Sequence, residues 1–429
     1  MIEFMRETPC GRVRGTTCQW PEVEAYKGIV YAHADRFCYP EQVTHWEGVY
    51  DATEYGHTCF QKRSFYDESK DPKKKLYYGE FRAGCTYTYS EDCLNLNVWT
   101  PEGATEEDNL PVIVYIHGGS YNGGSGFEKH LDGPVWPTKG VVAVTINYRL
   151  GPFGFVCLPE LKAEAGHTGN YGMYDQVCAL QWIHDNINAF GGDPNNVTLF
   201  GQSAGAMSIT NLSLSPLTDG LFQKAVVSSA GGVGPAFSVV KTEEDRYAFW
   251  QDVMEEAGCK TLDDIRTVDP KTWYYAWLKH DQKFRGIDML SASPVIDGIF
   301  LTDNTTKLAK QGNMKAIPYI IGLNKDDMLP PVLNLMAHRW RRLVRKHTGE
   351  PVYLYNFNHD LPGDDLGAWH SADLWYWLGT LHNGWRPMTD QDDKISDAMA
   401  TSVCNFAKTG NPNGAGVKGW SKRGKKVFK

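Results

Sequence analysis

Ser203 stands in Gly201-Gln202-Ser203-Ala204-Gly205, with a glycine two residues to either side. A serine hydroxyl becomes a nucleophile when a base takes its proton and donors meet the charge forming on the attacked carbonyl oxygen. The pentapeptide alone recurs by chance, so its surroundings decide. Val197 to Phe200 is an apolar run that reads as a strand, and the residues from Ala204 to Thr210 can open a helix. A serine at such a strand-to-helix turn is held strained and exposed, and small neighbours let the chain turn tightly. The helix N-terminus and the Ala204 N–H then favour negative charge on a substrate oxygen. A serine that merely caps a helix would leave the paired glycines unexplained.

A second glycine-rich loop, His117-Gly118-Gly119-Ser120, directly follows the apolar run 112–116 and continues to Gly126. Glycines there let backbone N–H groups point at an oxyanion. No Gly-Lys-Ser/Thr follows, so a phosphate loop does not fit. A base and an orienting acid must come from further along. His370 follows the run 351–355 and a loop, and is the first candidate base, with His359 the fallback. His280, His338, His347 and His382 read as residues of solvated faces. Asp326 and Asp327 follow the end of another apolar run, 318–322, and either could orient the base.

The elements that must carry these groups are short apolar runs alternating with helical periodicity from residue 110 onward. Runs at 112–116, 141–146, 197–200, 224–228, 318–322 and 351–355 read as strands, several buried on both faces. Helical spacing covers 171–190 and recurs at Ile395, Met399, Val403 and Phe406, stopped by Gly410 and Pro412. The pattern implies a mostly parallel sheet flanked by helices. Residues 62–79, with Lys70 and Lys73 to Lys75, read as a polar surface excursion. The length of 429 residues, 42% hydrophobic and 22% charged, excludes a disordered or disulfide-stapled chain and suits one large α/β domain over 1–429. A net charge of −8 argues against nucleic acid as a partner. No run is long enough to span a membrane. The N-terminal heptad from Met1 to Glu7 has no signal-peptide character, so a cytoplasmic location is expected. The ten cysteines form no C-x-x-C pair, His57 and Cys59 are an isolated pair, and neither a metal nor an organic cofactor is implied.

With both loops placed, the sequence resembles the type-B carboxylesterase and cholinesterase family of α/β-hydrolases, in its bacterial form. Phe190 to Gly205 fits that family's serine signature throughout. Glu91 to Pro101 fits its second signature, except that Asn95 stands where an aromatic residue or Thr is usual. Lys27–Ala32, Gly169–Gln176 and Asn405–Asn413 are further family-like stretches. The resemblance implies an α/β-hydrolase fold and hydrolysis of a small-molecule ester by Ser203, His370 and Asp327. Asp327 takes the place of the family's catalytic acid; Asp326 stays open as the alternative, because Asp replaces Glu and Met328 replaces Gly. It further implies an oxyanion hole from the N–H groups of Gly119, Ser120 and Ala204, with Ser120 replacing a glycine, and a supporting serine at Ser229. Short-chain acyl or aromatic esters are the expected substrates. Thioesterase or peptidase chemistry would use the same machinery. Adhesion proteins that keep the fold without activity lack the serine.

Cys59 and Cys93 occupy the places of a disulfide in secreted relatives, and are read here as reduced. Members of the family are usually longer, and the deficit can be located: Asp327 and His370 are only 43 positions apart. The expectation is a reduced cap and a shallow, open site, with residues 328–350 as the shortened segment. Its basic run, Arg339, Arg341, Arg342, Arg345 and Lys346, on a helix with Leu335, Trp340 and Leu343 on the apolar side, reads first as a solvated face, and otherwise as the remaining cover, in which case anionic or sugar-linked esters become candidates. Trp369, Trp375, Tyr376 and Trp377 are candidates both for pocket lining and for core. Oligomeric state is not legible.

Overall fold

The computed structural model of the protein describes residues 3–72, 74–282, 290–414 and 416–429. Lys73 of the polar run, and Met1 and Ile2 of the N-terminal heptad, lie outside the described residues. Among the described residues, twelve strands share one sheet. They are β1 (Phe4–Thr8), β2 (Gly11–Thr17), β3 (Val23–Val30), β4 (Val49–Asp51), β5 (Asn95–Pro101) and β6 (Leu110–Ile116). Then follow β7 (Val142–Ile146), β8 (Gly192–Gln202), β9 (Lys224–Ser228), β10 (Tyr319–Asn324), β11 (Val352–Phe357) and β12 (Lys425–Phe428). The spatial order is β1-β2-β3-β5-β7-β6-β8-β9-β10-β11-β12, with β4 beside β2. From β7 to β12 every neighbouring pair is parallel, whereas β1, β2, β3, β5 and β7 join antiparallel.

The central strands are buried on both faces, and their side chains alternate between two cores. Val112, Val114 and Ile116 of β6 and Leu199 of β8 enter one layer; Ile113, Tyr115 and Phe200 enter the other. The first layer is closed by helices α1 (Tyr171–Asn186), α2 (Ala204–Leu214), α3 (Pro270–Asp281) and α4 (Pro330–His347). The second is closed by α5 (Asp390–Thr409), which Thr389 and Asp392 cap reciprocally and Gly410 ends at φ 73°.

Local structure departs from expectation in a few places, each for a physical reason. The helix starting at 171 stops at Asn186 and tightens into a 3-10 turn over Ile187–Phe190. β8 begins at Gly192, before its apolar run, because Gly192 still pairs with Leu110. The N-terminal strands pair through backbone rather than apolar pattern, so β2, which reads GRVRGTT, gave no signal. The basic helix α4 does not cover the site. It turns Leu333, Met336, Ala337, Trp340, Leu343 and Val344 inward and packs on β10 and β11, while Leu335, expected on that apolar side, is exposed.

The order β7-β6-β8 places the end of β6 directly beside the end of β8, so the glycine loop and the serine turn are neighbours. Helix α2 leaves β8 so closely that a Cβ on Gly205 would lie 2.0 Å from the Ile116 carbonyl oxygen. Gly205→Ala is therefore expected to destabilise the fold by about 1–3 kcal/mol or more. Thermal unfolding measures this, and an unchanged melting temperature would contradict the packing described.

Candidate active site

Ser203 sits at φ 57°, ψ −123°, a conformation that costs a non-glycine residue on the order of 1–3 kcal/mol. It is held from both sides. The Ser203 N–H donates to the Ser228 carbonyl at 2.9 Å, and the Ser203 carbonyl accepts from Met207 N–H at 3.0 Å in the first turn of α2. Ser203 is partly exposed, at the head of α2 and at the carboxyl end of the sheet. Residues 117–126 leave the neighbouring strand, with Gly119 at φ 109° and Ser120 at φ 56°. Among the described residues the N–H groups of Gly119 and Ser120 donate to no other protein group. The N–H of Ala204, first in its helix, has no intrahelical acceptor. All three proposed donors thus flank Ser203 with free N–H groups.

His370 Nδ1 lies 2.6 Å from Asp327 Oδ1, and the Asp327 side chain is fully buried. Burial raises the Asp327 pKa, but the His370 bond, the Ser229 hydroxyl and the Asn324 N–H outweigh it and hold the carboxyl below its usual value. Asp327 also accepts from the Met328 N–H at 2.8 Å. Asp326 points elsewhere. Its side chain is 43% exposed and accepts from the Ala368 N–H at 3.0 Å, while its own N–H donates to the Ala368 carbonyl at 3.1 Å. Geometry therefore joins Asp327, not Asp326, to His370, and gives Asp326 a clamp on the histidine loop. His359 is bound instead to Asp392 at the start of α5, at 2.7 Å.

Ser203, His370, Gly119 and Ser120 line one cavity of about 430 Å³, within the range of small-molecule sites. Its walls correct one expectation and decide between two readings of another. The polar stretch 62–79 is no mere surface excursion, since Lys62, Arg63, Tyr66, Glu68, Lys74 and Tyr77 face the cavity. Conversely, Trp375, Tyr376 and Trp377 are fully buried and Trp369 nearly so, and none lines it. The wall reaches Met328 but none of the basic residues of α4. Aromatic lining comes instead from Tyr66, Tyr77, Phe81, Tyr115, Tyr274 and Trp277.

Three polar residues of the site escaped the sequence reading. Gln202 is buried, and its side-chain amide lies 3.2 Å from His370 Nε2, the nitrogen not used by Asp327. It is the variable position of the pentapeptide, which the motif ignores. Asn324 donates from its side chain to the Trp369 carbonyl at 2.7 Å and from its N–H to Asp327 at 3.1 Å. Asp373 is wholly buried and accepts from Ser228, Tyr355, Trp377 and Asn324 at 2.9–3.2 Å; burial raises its pKa against these donors. Its spacing from His370 was the available signal. Cys59 and Cys93 are both buried, and their thiols are free.

The model of the carboxylesterase family matches residues 3–339 and 332–427, nearly the whole chain. The chain belongs to the carboxylesterase family. It is 34% identical to the para-nitrobenzyl esterase of Bacillus subtilis (strain 168), over 95% of this chain and 90% of that one. It is 35% identical to the bile salt-activated lipase of Mus musculus, over 91% of this chain and 75% of the relative. A solved PNB esterase superimposes with a TM-score of 0.86 at 29% identity, covering 99% of this chain and 95% of that chain. The fold is thus that of an α/β-hydrolase, and the carboxylesterase is a carboxylic ester hydrolase. No helix among the described residues is long and apolar enough to cross a membrane.

A short N–H···O bond to a carboxylate deshields its proton, so a strongly downfield imidazole N–H resonance is expected from His370. It should persist in Asp326→Asn and vanish in Asp327→Ala. Loss in the Asp326 variant alone would reverse the pairing.

Proposed function

We propose that this carboxylesterase cleaves esters through an acyl-enzyme on Ser203, with His370 as base and Asp327 as its orienting acid. The observation that carries the reading is the shared cavity: a strained serine and a histidine fixed by a buried carboxylate face the same 430 Å³ space. Asp327 takes the Nδ1 proton as hydrogen-bond acceptor, which leaves the Nε2 lone pair as the basic site. Ser203 Oγ attacks the carbonyl carbon as its proton passes to His370 Nε2. The carbonyl oxygen gains the charge, and the N–H groups of Gly119, Ser120 and Ala204 are placed to hold it. Collapse breaks the bond to the alcohol oxygen, which leaves with the proton from His370. Water, deprotonated by His370, then attacks the acyl carbon, and Ser203 is released with its proton restored. Ser229 supports the ionised Asp327 from behind.

The aromatic lining and the cavity volume support short acyl or aromatic esters as substrates. We also read the 43 positions between Asp327 and His370 as a shortened cap. Two features support this. The family match breaks into two pieces that meet at 332–339, inside α4. The alignment with the Bacillus enzyme runs over 463 positions, more than the 429 residues of this chain.

A fluorophosphonate should label one serine, and Ser203→Ala should abolish both labelling and hydrolysis of p-nitrophenyl acetate. Asp327→Asn should lower kcat by about 10⁴, as a lost orienting acid does elsewhere, with Asp326→Asn within a few-fold of the parent. Retained turnover in Ser203→Ala, or collapse in the Asp326 variant only, would overturn the assignment.

A further inference from the structure

The cavity wall beside the glycine loop, where the Gln61 side chain bonds Gly124, is rich in charge. Lys62, Arg63, Lys74 and Arg82 face Glu68, Glu128 and Asp281 there, four cations against three carboxylates in a chain whose net charge is −8. The surplus can be assigned to a residue. Arg82 is ion-paired with Glu68 and reaches Glu128 at 3.5 Å. Arg63, its side chain only 7% exposed, binds Glu128 at 2.9 Å and lies over the Tyr87 ring. Lys62 lies 4.0 Å from Asp71 and over the Tyr66 ring. The Lys74 ammonium makes no hydrogen bond or ion pair among the described residues, although Lys74 lines the same cavity as Ser203.

Its environment is also repulsive. Burial and the nearby Arg82 and Lys62 all push the Lys74 pKa down, against weaker attraction from Glu68 and Asp71. The Arg63 guanidinium adds to the unmet donor capacity, since its Nε and Nη2 have no partner among the described residues. A cation crowded by cations at a cavity wall is relieved by an incoming anion, and focused fields in a low-dielectric cleft raise the local concentration of the opposite charge.

We propose that the cavity selects esters carrying a negative charge away from the scissile bond, with Lys74 receiving a carboxylate of the substrate. This deepens the esterase reading above and rests on it. Lys74 is an exposed residue, so its replacement tests recognition rather than folding. The neutral alternative, an aromatic ester held only by Tyr77, Phe81 and Trp277, would not depend on Lys74 in a charge-selective way.

The experiment compares 4-acetoxybenzoate with 4-acetoxybenzamide, which share shape and scissile bond and differ in charge. The ratio of their kcat/KM values should fall about three- to fivefold in Lys74→Gln and further in Lys74→Glu, mainly through KM of the charged ester. In the parent enzyme the ratio should shrink as ionic strength rises. A ratio that stays within twofold in both variants overturns the proposal while p-nitrophenyl acetate is still cleaved. If p-nitrophenyl acetate is not cleaved by the parent, the esterase reading itself fails.

Discussion

Close backbone contact at the ends of β6 and β8 is the constraint on which the site depends. Helix α2 can start beside the Ile116 carbonyl only because Gly205 has no side chain, and Gly201 has to pass the Gly205 carbonyl in the same turn. That contact forces Ser203 into its unusual conformation, and the Ser228 and Met207 hydrogen bonds hold it there. The same proximity brings the Gly119 and Ser120 N–H groups next to the head of α2. The placement of Ser203 and of the Gly119 and Ser120 N–H groups therefore follows from one packing event.

The histidine and its acid are organised differently. They lie on loops after β10 and β11, and hydrogen bonds sew the two loops together: Asp326 with Ala368, Asn324 with Trp369, and Asp373 with Asn324. Asp373 extends the stitching to Ser228 at the end of β9. Three strand ends are thus coupled through polar groups, among which the Asp373 carboxylate accepts four hydrogen bonds, and shared bonds of this kind add rigidity.

The sequence carried much of this, because glycines at close contacts and apolar strands leave strong local patterns. The central strands, α1, α5, Ser203 and the glycine loop were legible for that reason. The choice between Asp326 and Asp327 was not, since adjacent residues differ only in which way the loop turns them. Gln202, Asn324 and Asp373 act through tertiary hydrogen bonds and leave no periodic trace. The basic stretch of α4 misled because its charges look outward to solvent in either placement; its apolar stripe, not its charge, dictated that it lie on β10 and β11. The wall formed by 62–79 was hidden because polar residues facing a water-filled cavity read like polar residues facing bulk solvent.

Asn324 reaches both loops of the hydrogen-bonded pair at once, holding the Asp327 carboxylate through its N–H and the Trp369 carbonyl just before His370 through its side chain. Acid and base consequently ride on a common anchor. The 2.6 Å contact between them is thus set by one residue rather than by two independently placed loops. The two loops thereby share one fixed point at the end of β10, independent of what covers them.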